Sequence, residues 1–280
     1  MKPLIKWAGG KRQIAAELQS RFPRNWNSGT YFEPFIGGGA MYLHIAPENS
    51  VIADANERLI GFYTHVKGHP NELHEGILAV SESFNSLASM GTEAKKIRYL
   101  ELRTQFNTTE PASTESAVLL YILNKLCFNG LYRENSKGGF NVPFGKKETM
   151  PPLLKEDLQS VSSALQNTLI LNSDFEETIS YANPGDFVYL DPPYIPLGES
   201  PSFTSYHSTG FGQNDQMRIA EAMRTLREFG IYAMCSNSET EMTREIYTDL
   251  NISTIQAPRM VSAKASGRGS ITEVVITNYE

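Results

Sequence analysis

The chain has 280 residues, of which 40% are hydrophobic and 20% charged, the composition of an ordinary globular protein that forms one large domain or two smaller ones. It has no apolar run of roughly 20 residues and no signal-peptide core at its start, so we expect a cytoplasmic protein without a membrane partner. The formal net charge of −6 argues against a nucleic-acid partner. However, basic residues cluster in 1–27, 125–147 and 257–271, which indicates either one positive face or chance clustering.

Strand-like and helix-like segments alternate near both ends of the chain. Strands are predicted at 30–36, 50–55, 168–173, 186–191, 231–237, 252–257 and 273–279, and helices at 56–67, 213–229 and 239–249. This alternation predicts a mostly parallel sheet with helices on its faces. Only a loop separates the last two strands, so we expect them to form an antiparallel pair at the sheet edge.

The middle of the chain has a different pattern. Residues 70–127 are predicted to form consecutive helices, and a polar stretch rich in glycine and asparagine follows at 129–147, which is too long for a simple connection. We therefore predict an α/β domain of residues 1–60 and 160–280, interrupted by a helical insertion of residues 61–159. Cys127 and Cys235 lie in apolar runs and are predicted to be buried, reduced thiols.

Two features near the first strands predict a nucleoside site. In 32-FEPFIGGGA-40 a strand ends in three glycines, which allow a tight turn and a close approach to a ligand, and a plain turn is the alternative. Asp54 closes the next strand, where Rossmann-type folds offer a carboxylate to ribose hydroxyls, although it could instead cap the helix that starts near Asn56. Tyr42 interrupts the G-x-G-x-x-G spacing, which counts against a dinucleotide.

The segment 186-DFVYLDPPYIPL-197 ends a buried strand with an acid, two prolines and a tyrosine. A carboxylate at the carboxyl end of a parallel strand lies where open α/β sheets bind ligands. The two prolines lack N–H groups and fix φ, so they hold the Pro192 carbonyl beside the Asp191 carboxylate. Two rigid acceptors next to the Tyr194 ring suit a planar ring that carries an amino group. A plain end to the strand is the alternative.

Taken together, the segments DPPY, KWAGGK and FEPFIGGG resemble motifs of DNA adenine-N6 methyltransferases of the Dam type. The resemblance covers nearly the whole chain and includes 128-FNGLYR-133, 140-FNVPFG-145, 202-SFTSYHSTGF-211, 236-SNS-238 and 273-EVVITNY-279. It is nearest to the branch that methylates GATC, which includes modification enzymes of restriction systems. The resemblance implies a Rossmann-like methyltransferase sheet with a helical target-recognition insertion. It also implies transfer of a methyl group from S-adenosylmethionine to a flipped-out adenine of double-stranded DNA, without a metal.

The resemblance also implies roles for the matching residues. Asp191 and Pro192 would accept the two hydrogens of the adenine amine, and Tyr194 would stack on the base. The cofactor-binding residues would be Trp7, Lys11, Glu33, Phe35, Gly37, Gly39, Asp54, Asp174, Phe175 and Asp191. A helix cap is the alternative for Asp174. The segment 202–211 is expected to close over the site or grip the strand, and a mobile surface loop is its alternative.

For DNA, the resemblance implies contacts by Lys6, Phe128, Asn129, Leu131, Arg133 and Pro143. Arg133 suits a bidentate contact to guanine O6 and N7. Lys6 matches a contact to the first guanine, and the apolar Leu131 and Pro143 suit a thymine methyl group. Phe128 stands where relatives often have a tyrosine that wedges into the duplex, with Asn129 facing the orphan thymine. A solvated loop or a phosphate contact is the alternative for each residue.

Other interpretations remain open from the sequence. The same chemistry acts on cytosine N4, an RNA base or a protein glutamine in other enzymes, but the opening Asp191 and the basic insertion favour DNA adenine. A nicotinamide-dependent oxidoreductase lacks support because the third glycine is missing, and a catalytically silent DNA-binding protein would not require Asp191 and Tyr194. The resemblance includes enzymes with a cognate restriction endonuclease that shares the DNA site without binding the methyltransferase, as well as solitary and phage enzymes. A monomer is expected.

Overall fold

The structure is a computed structural model that describes residues 1–196, 211–258 and 270–280. Within these ranges the strands are β1 Tyr31–Glu33, β2 Ser50–Ala53, β3 Thr168–Leu171, β4 Phe187–Leu190, β5 Tyr232–Ser238, β6 Asn251–Pro258 and β7 Ser270–Thr277. The α-helices are α1 Ala15–Gln19, α2 Ala40–Ile45, α3 Glu57–Gly68, α4 Pro70–Asn85, α5 Gly91–Thr108, α6 Thr114–Leu126, α7 Lys155–Ala164, α8 Phe175–Ile179, α9 Gln213–Glu228 and α10 Glu241–Ile246. Short 3-10 helices in the same described ranges cover Ser86–Met90 and Phe128–Gly130.

The chain divides into two compact units. The first contains residues 1–10, 37–46 and 54–172, and the second contains residues 11–36, 47–53 and 173–280. This division follows from how the backbone packs and assigns no function to either unit. The functional assignment of 61–159 to target recognition stays a prediction.

The sheet of the second unit confirms the predicted α/β fold. Its strands follow the order β2-β1-β4-β5-β7-β6. The pairs β1–β2, β1–β4 and β4–β5 are parallel, whereas β5–β7 and β6–β7 are antiparallel. The predicted antiparallel pair at the edge is therefore confirmed, with Ile255 of β6 opposite Glu273 of β7.

Strand β4 lies in the centre of this sheet because its sequence is apolar on both faces. All four residues of FVYL are fully buried, as expected for a parallel strand covered on both sides. Its ladder ends at Leu190, which lies opposite Cys235 of β5. Asp191 and the two prolines follow directly, so the strand delivers them at its carboxyl end.

The first unit is mainly helical and is built around α6. The sequence TESAVLLYILNKL is apolar nearly all round, and helices α3, α4 and α5 pack against it. Ser113 caps α6 by accepting the Ser116 amide. Both cysteines, Cys127 in this unit and Cys235 in the second, are buried thiols, as predicted. No helix within the described ranges is long and apolar enough to cross a membrane.

Candidate functional site

The Asp191 carboxylate is held by two side chains of the second unit. Lys11 Nζ lies 2.9 Å from Asp191 Oδ1, and the hydroxyl of Ser236 donates to the same oxygen at 2.8 Å. Lys11 is only 5% exposed, so the ion pair is shielded from water. Neither bond occupies Oδ2, the second oxygen of the carboxylate. The arrangement therefore fixes the orientation of Asp191 through one of its oxygens.

A tyrosine beside this carboxylate is also oriented from two sides. The Lys11 ammonium lies 4.4 Å from the centre of the Tyr194 ring, and the Tyr194 hydroxyl donates to Glu273 Oε2 at 2.8 Å. Burial raises the pKa of Tyr194 well above its usual value, so the hydroxyl keeps its proton. Burial also raises the pKa of Glu273. The ring that is predicted to stack on a base therefore has a set position within its unit.

The sequence did not indicate roles for Ser236 and Glu273, which the structure places against Asp191 and Tyr194. Both lie in segments that the resemblance includes, 236-SNS-238 and 273-EVVITNY-279. The available signal was a hydroxyl near the carboxyl end of a predicted parallel strand. The hydrogen bonds from Ser236 to Asp191 and from Tyr194 to Glu273 depend on the order of the strands, in which β5 lies between β4 and β7.

The glycine turn and Asp54 meet within the first unit. Asp54 Oδ2 accepts the Gly37 amide at 3.1 Å, and Oδ1 accepts the Asn56 amide at 3.0 Å. Helix α3 is capped by the side chain of Asn56 and not by Asp54. Burial raises the pKa of Asp54 to about 6, although its two amide bonds lower it. Asp54 is thus a carboxylate with two fixed donors and a weakened preference for the charged form.

Trp7 lies against the same turn. Gly37 has a φ of +47°, and a Cβ there would come within 2.8 Å of the Trp7 ring, so only glycine fits without displacing the indole. The Tyr63 hydroxyl donates to the Gly37 carbonyl at 3.0 Å. Gly39 also has a positive φ, of +68°, and starts helix α2. The structure therefore brings together four of the predicted cofactor residues, Trp7, Gly37, Gly39 and Asp54, in one unit.

Other predicted cofactor residues lie in the second unit. The rings of Phe35 and Phe175 stack with centres 5.6 Å apart, and Phe211 packs edge-on against Phe35. Asp174 caps α8 by accepting the Glu176 amide at 3.0 Å, which is the alternative role that the sequence left open for it.

Arg218 of helix α9 contacts both Phe175 and Asp174. Its guanidinium lies 4.8 Å from the Phe175 ring and bonds Asp174 at 2.9 Å. Glu33 is buried and accepts the hydroxyl of Tyr31 at 2.7 Å. Residues 202–210 of the predicted closing segment lie outside the described residues, as do the basic residues Arg259, Lys264 and Arg268.

The loop after α6 has an anchored backbone and exposed side chains. Asn107 bonds both backbone groups of Phe140, and the Tyr99 hydroxyl donates to the Val142 carbonyl at 2.7 Å. Bridges join Cys127 to Phe144 and Glu134 to Phe140. Most of the predicted DNA residues are exposed, with Leu131 half-buried: Lys6, Phe128, Asn129, Arg133 and Pro143.

The amide side chain of Asn124 ties Lys6 to this loop within the first unit. It accepts the Lys6 amide at 2.8 Å and donates to the carbonyls of Lys6 and Gly130 at 2.7 and 3.2 Å. Next to Lys6, the Trp7 indole stacks on the Tyr132 ring with centres 5.0 Å apart. Arg133 Nε donates to Asn141 Oδ1 at 2.7 Å, which holds one edge of its guanidinium. The structure therefore brings Lys6 and the predicted recognition loop together.

Comparison with protein-family models identifies the family of the chain. The family model described as D12 class N6 adenine-specific DNA methyltransferase matches residues 7–261. The chain belongs to this family. It is therefore an adenine-specific DNA methyltransferase.

Curated relatives match this D12-class methyltransferase over nearly its whole length. The type II methyltransferase M1.LlaDCHI of Lactococcus lactis subsp. cremoris is 40% identical over 284 residues, covering 100% of this chain and 96% of that protein. The type II methyltransferase M.MjaIII of Methanocaldococcus jannaschii is 38% identical, covering 100% and 99%. The DNA adenine methylase of Vibrio cholerae serotype O1 is 34% identical, covering 98% and 95%. The type II names are consistent with a restriction-modification context.

Proposed function

We propose that this methyltransferase transfers the methyl group of S-adenosylmethionine to N6 of a flipped-out adenine in GATC sites of double-stranded DNA. The observation that carries the proposal is the Asp191 carboxylate, which Lys11 and Ser236 hold through Oδ1 at the end of β4. This geometry leaves the orientation of Oδ2 fixed for the adenine amine. The neighbouring Tyr194 ring, held by Glu273, suits a base stacked beside that amine.

The residues present fit a nucleoside cofactor. The positive φ of Gly37 brings the backbone close to Trp7, and the Asp54 carboxylate, already oriented by two amides, suits ribose hydroxyls. The stacked pair Phe35–Phe175 in the second unit offers an apolar surface for a purine ring. S-adenosylmethionine supplies a methyl group on a positively charged sulfur. We assign the cofactor to Trp7, Lys11, Glu33, Phe35, Gly37, Gly39, Asp54, Asp174, Phe175 and Asp191.

Asp191 and Pro192 make adenine N6 a better nucleophile by accepting its two hydrogens. The N6 lone pair is normally delocalised into the purine ring, and two acceptors on one side favour a pyramidal nitrogen whose lone pair points away from them. Formation of the bond from N6 to the methyl group would break the bond from the methyl group to sulfur and release S-adenosylhomocysteine. The ionised carboxylate would stabilise the positive charge that develops on N6 until one N6 proton leaves.

The exposed side chains of the first unit suit DNA recognition. Asn141 accepts from Arg133 Nε at 2.7 Å and from one terminal nitrogen at 3.4 Å, so the end of the guanidinium away from Nε suits guanine O6 and N7. Lys6 suits the first guanine, and Leu131 and Pro143 suit a thymine methyl group. Phe128, which is 52% exposed, suits a wedge in the duplex beside the vacated position, with Asn129 on the orphan thymine. We propose these contacts on the strength of the resemblance and of this exposure.

The wider setting is also part of the proposal. We assign residues 1–60 and 160–280 to catalysis and residues 61–159 to target recognition. The protein acts as a monomer in the cytoplasm, in a cell where a restriction endonuclease shares its DNA site. The type II names of the relatives support that last assignment over a solitary or phage enzyme.

The test is methyl transfer from radiolabelled S-adenosylmethionine to a set of short duplexes. We expect incorporation into a GATC duplex and a loss of about 1–3 kcal/mol in specificity for each single-base change. A duplex whose GATC adenines already carry N6-methyl groups is the matched control and should accept no label. Equal labelling of a scrambled duplex would refute the assigned site, and label on cytosine or on RNA alone would refute adenine N6 in DNA as the target.

A further inference from the structure

Two buried amide side chains grip the backbone on either side of Tyr194. Gln216 of α9 donates from Nε2 to the Pro193 carbonyl at 2.8 Å. Asn237 of β5 accepts the Ile195 amide at Oδ1, at 3.1 Å. Gln216 is 2% exposed and Asn237 is fully buried. These two backbone groups flank the one residue that is proposed to stack on the base.

The two amides are also bonded to each other, so that each fixes the orientation of the other. The amides of Ile195 and Ser238 can only donate, and both meet Asn237 Oδ1, at 3.1 and 2.8 Å. Asn237 Nδ2 must then face an acceptor, which is Gln216 Oε1 at 2.9 Å. This turns Gln216 Nε2 towards the Pro193 carbonyl. We call Gln216 and Asn237 the amide clamp.

The backbone after β4 has few other means of attachment. The ladder between β4 and β5 ends where Leu190 lies opposite Cys235. Pro192 and Pro193 have no N–H groups, so neither can donate a backbone hydrogen bond. The amide clamp bonds the Pro193 carbonyl, immediately before Tyr194, and the Ile195 amide, immediately after it. Burying two amides costs free energy unless all their bonds are made, so the clamp holds its geometry only as a complete set.

We propose that Gln216 and Asn237 are positioning residues for methyl transfer, which hold the segment from Asp191 to Tyr194 in its reactive geometry. The inference rests on the proposed function of Asp191, Pro192 and Tyr194. Displacing reacting groups by about 1 Å costs about 10²-fold in rate. Loss of the clamp therefore slows the transfer step. It leaves DNA recognition unchanged, because the proposed recognition residues belong to the other unit.

The test is the single-turnover rate of methyl transfer by Gln216→Met at saturating cofactor and DNA. Methionine keeps the approximate volume of glutamine but removes both the donor and the acceptor. We expect the rate to fall about 10- to 100-fold, with unchanged affinity for GATC DNA and unchanged preference over single-base variants. A rate equal to that of the wild type would overturn the inference. If Gln216→Met does not fold, Gln216→Glu replaces the donor with a second acceptor oxygen and a buried charge that faces the Pro193 carbonyl, and it carries the same expectation.

Tyr247→Phe is the matched control within the same network. The Tyr247 hydroxyl donates to Gln216 Oε1 at 3.1 Å but has no bond to residues 191–195 among the hydrogen bonds of the described residues. In Tyr247→Phe the Gln216 Oε1 atom still accepts from Asn237 Nδ2, so both amides of the clamp keep their bonds to each other and to the backbone, and the change should lower the melting temperature without slowing transfer. An equal loss of rate in Tyr247→Phe and Gln216→Met would show that general stability, and not positioning, sets the rate, and would overturn the inference.

A double variant tests whether the two amides act as one device. Asn237→Ala combined with Gln216→Met should be about as slow as either single variant, because either change already opens the clamp. Losses that multiply would overturn the clamp as a single unit. Asp191→Asn is assayed in parallel: if that variant is fully active, the proposed function fails, whereas an inactive Asp191→Asn beside a normal Gln216→Met refutes the clamp alone.

Discussion

The segment around Asp191 and the loop that carries Arg133 both have anchored backbones, yet they treat their side chains in opposite ways. Asp191 is bonded inside the protein by Lys11 and Ser236. Arg133 is held only at one edge by Asn141 and is otherwise exposed. A group that takes part in transfer must be oriented before the substrate arrives. A group that reads a base edge must keep its donors available until DNA replaces water.

Replacing Asp191 with Asn removes the ion pair that orients this side chain and has the largest expected effect on the rate of methyl transfer. Asparagine keeps the size and the acceptor for Ser236, but it loses the ion pair with Lys11 and the charge that we propose stabilises N6 during transfer. We expect the single-turnover rate to fall about 10²- to 10³-fold or more, while the protein stays folded and still binds DNA. Rapid-quench measurement of methyl transfer checks this expectation, and near-normal turnover would remove Asp191 from the reaction.

Asp186→Asn is the matched control, because it makes the same chemical change at the opposite end of β4. Asp186 is 6% exposed and accepts the amides of Thr30 and Asn183 at 2.7 and 2.8 Å. Its loss should lower the free energy of unfolding by about 1–3 kcal/mol and leave the transfer rate unchanged. If Asp186→Asn slowed transfer as much as Asp191→Asn, the effect at Asp191 would reflect strand stability and not chemistry.

Replacing Arg133 with Ala tests the exposed side chain of the comparison. The backbone of its loop stays anchored by Asn107 and Tyr99, so the change removes the proposed base contact without unfolding the loop. We expect discrimination at one base pair of GATC to weaken by about 1–3 kcal/mol, with the rate at saturating DNA nearly unchanged. Ratios of kcat/KM for GATC and its single-base variants measure this effect.

Lys137→Ala is the control for Arg133, since Lys137 is an exposed base in the same loop with no assigned base contact. Its removal should weaken binding to all duplexes about equally and reduce the dependence of affinity on salt. A uniform loss in Arg133→Ala as well would make Arg133 a phosphate contact, which is the alternative that the sequence left open.

The sequence predicted the order and type of the elements better than their limits. The run FVYL predicted β4 because four apolar residues in succession suit a buried parallel strand. The strand predicted at 30–36 is observed only at Tyr31–Glu33, since Pro34 has no N–H to extend the ladder. The helix predicted at 239–249 is observed at Glu241–Ile246, where the Thr240 side chain accepts the Thr243 amide and sets the first turn.

Residues of the site were predictable where a motif carries them and not where distant strands supply them. Asp191 and Tyr194 stand in one tetrapeptide, so the sequence alone marked them. Ser236, Glu273 and Gln216 reach that tetrapeptide only through the order of β4, β5 and β7 and through the packing of α9, which periodicity does not specify. Their hydrogen-bond partners therefore had to come from the structure.

The pH dependence at Asp54 is the smallest expected effect. It refines the comparison because Asp54, whose carboxylate is bonded by two backbone amides, lies in the same unit as the exposed Arg133. Burial raises its pKa to about 6. The ionised form is the stronger acceptor for the ribose hydroxyls that we propose Asp54 binds, so cofactor affinity should be constant well above pH 6 and fall as the pH drops through that value. At pH 5 the loss should be about 10-fold, since one pH unit below the pKa leaves about a tenth of the group ionised.

Calorimetric titration with S-adenosylhomocysteine between pH 5 and pH 8 measures this dependence, and Asp54→Asn is the control. Asparagine still accepts from the Gly37 amide but does not titrate, so its affinity should be weaker and independent of pH over this range. The sign for stability is the reverse: because burial raises the folded-state pKa, Asp54 favours folding at low pH and this contribution is lost as the pH rises towards 6. Weaker binding at low pH is therefore a property of the site and not of partial unfolding at Asp54. An affinity that falls equally in the wild type and in Asp54→Asn would assign the titration to another group.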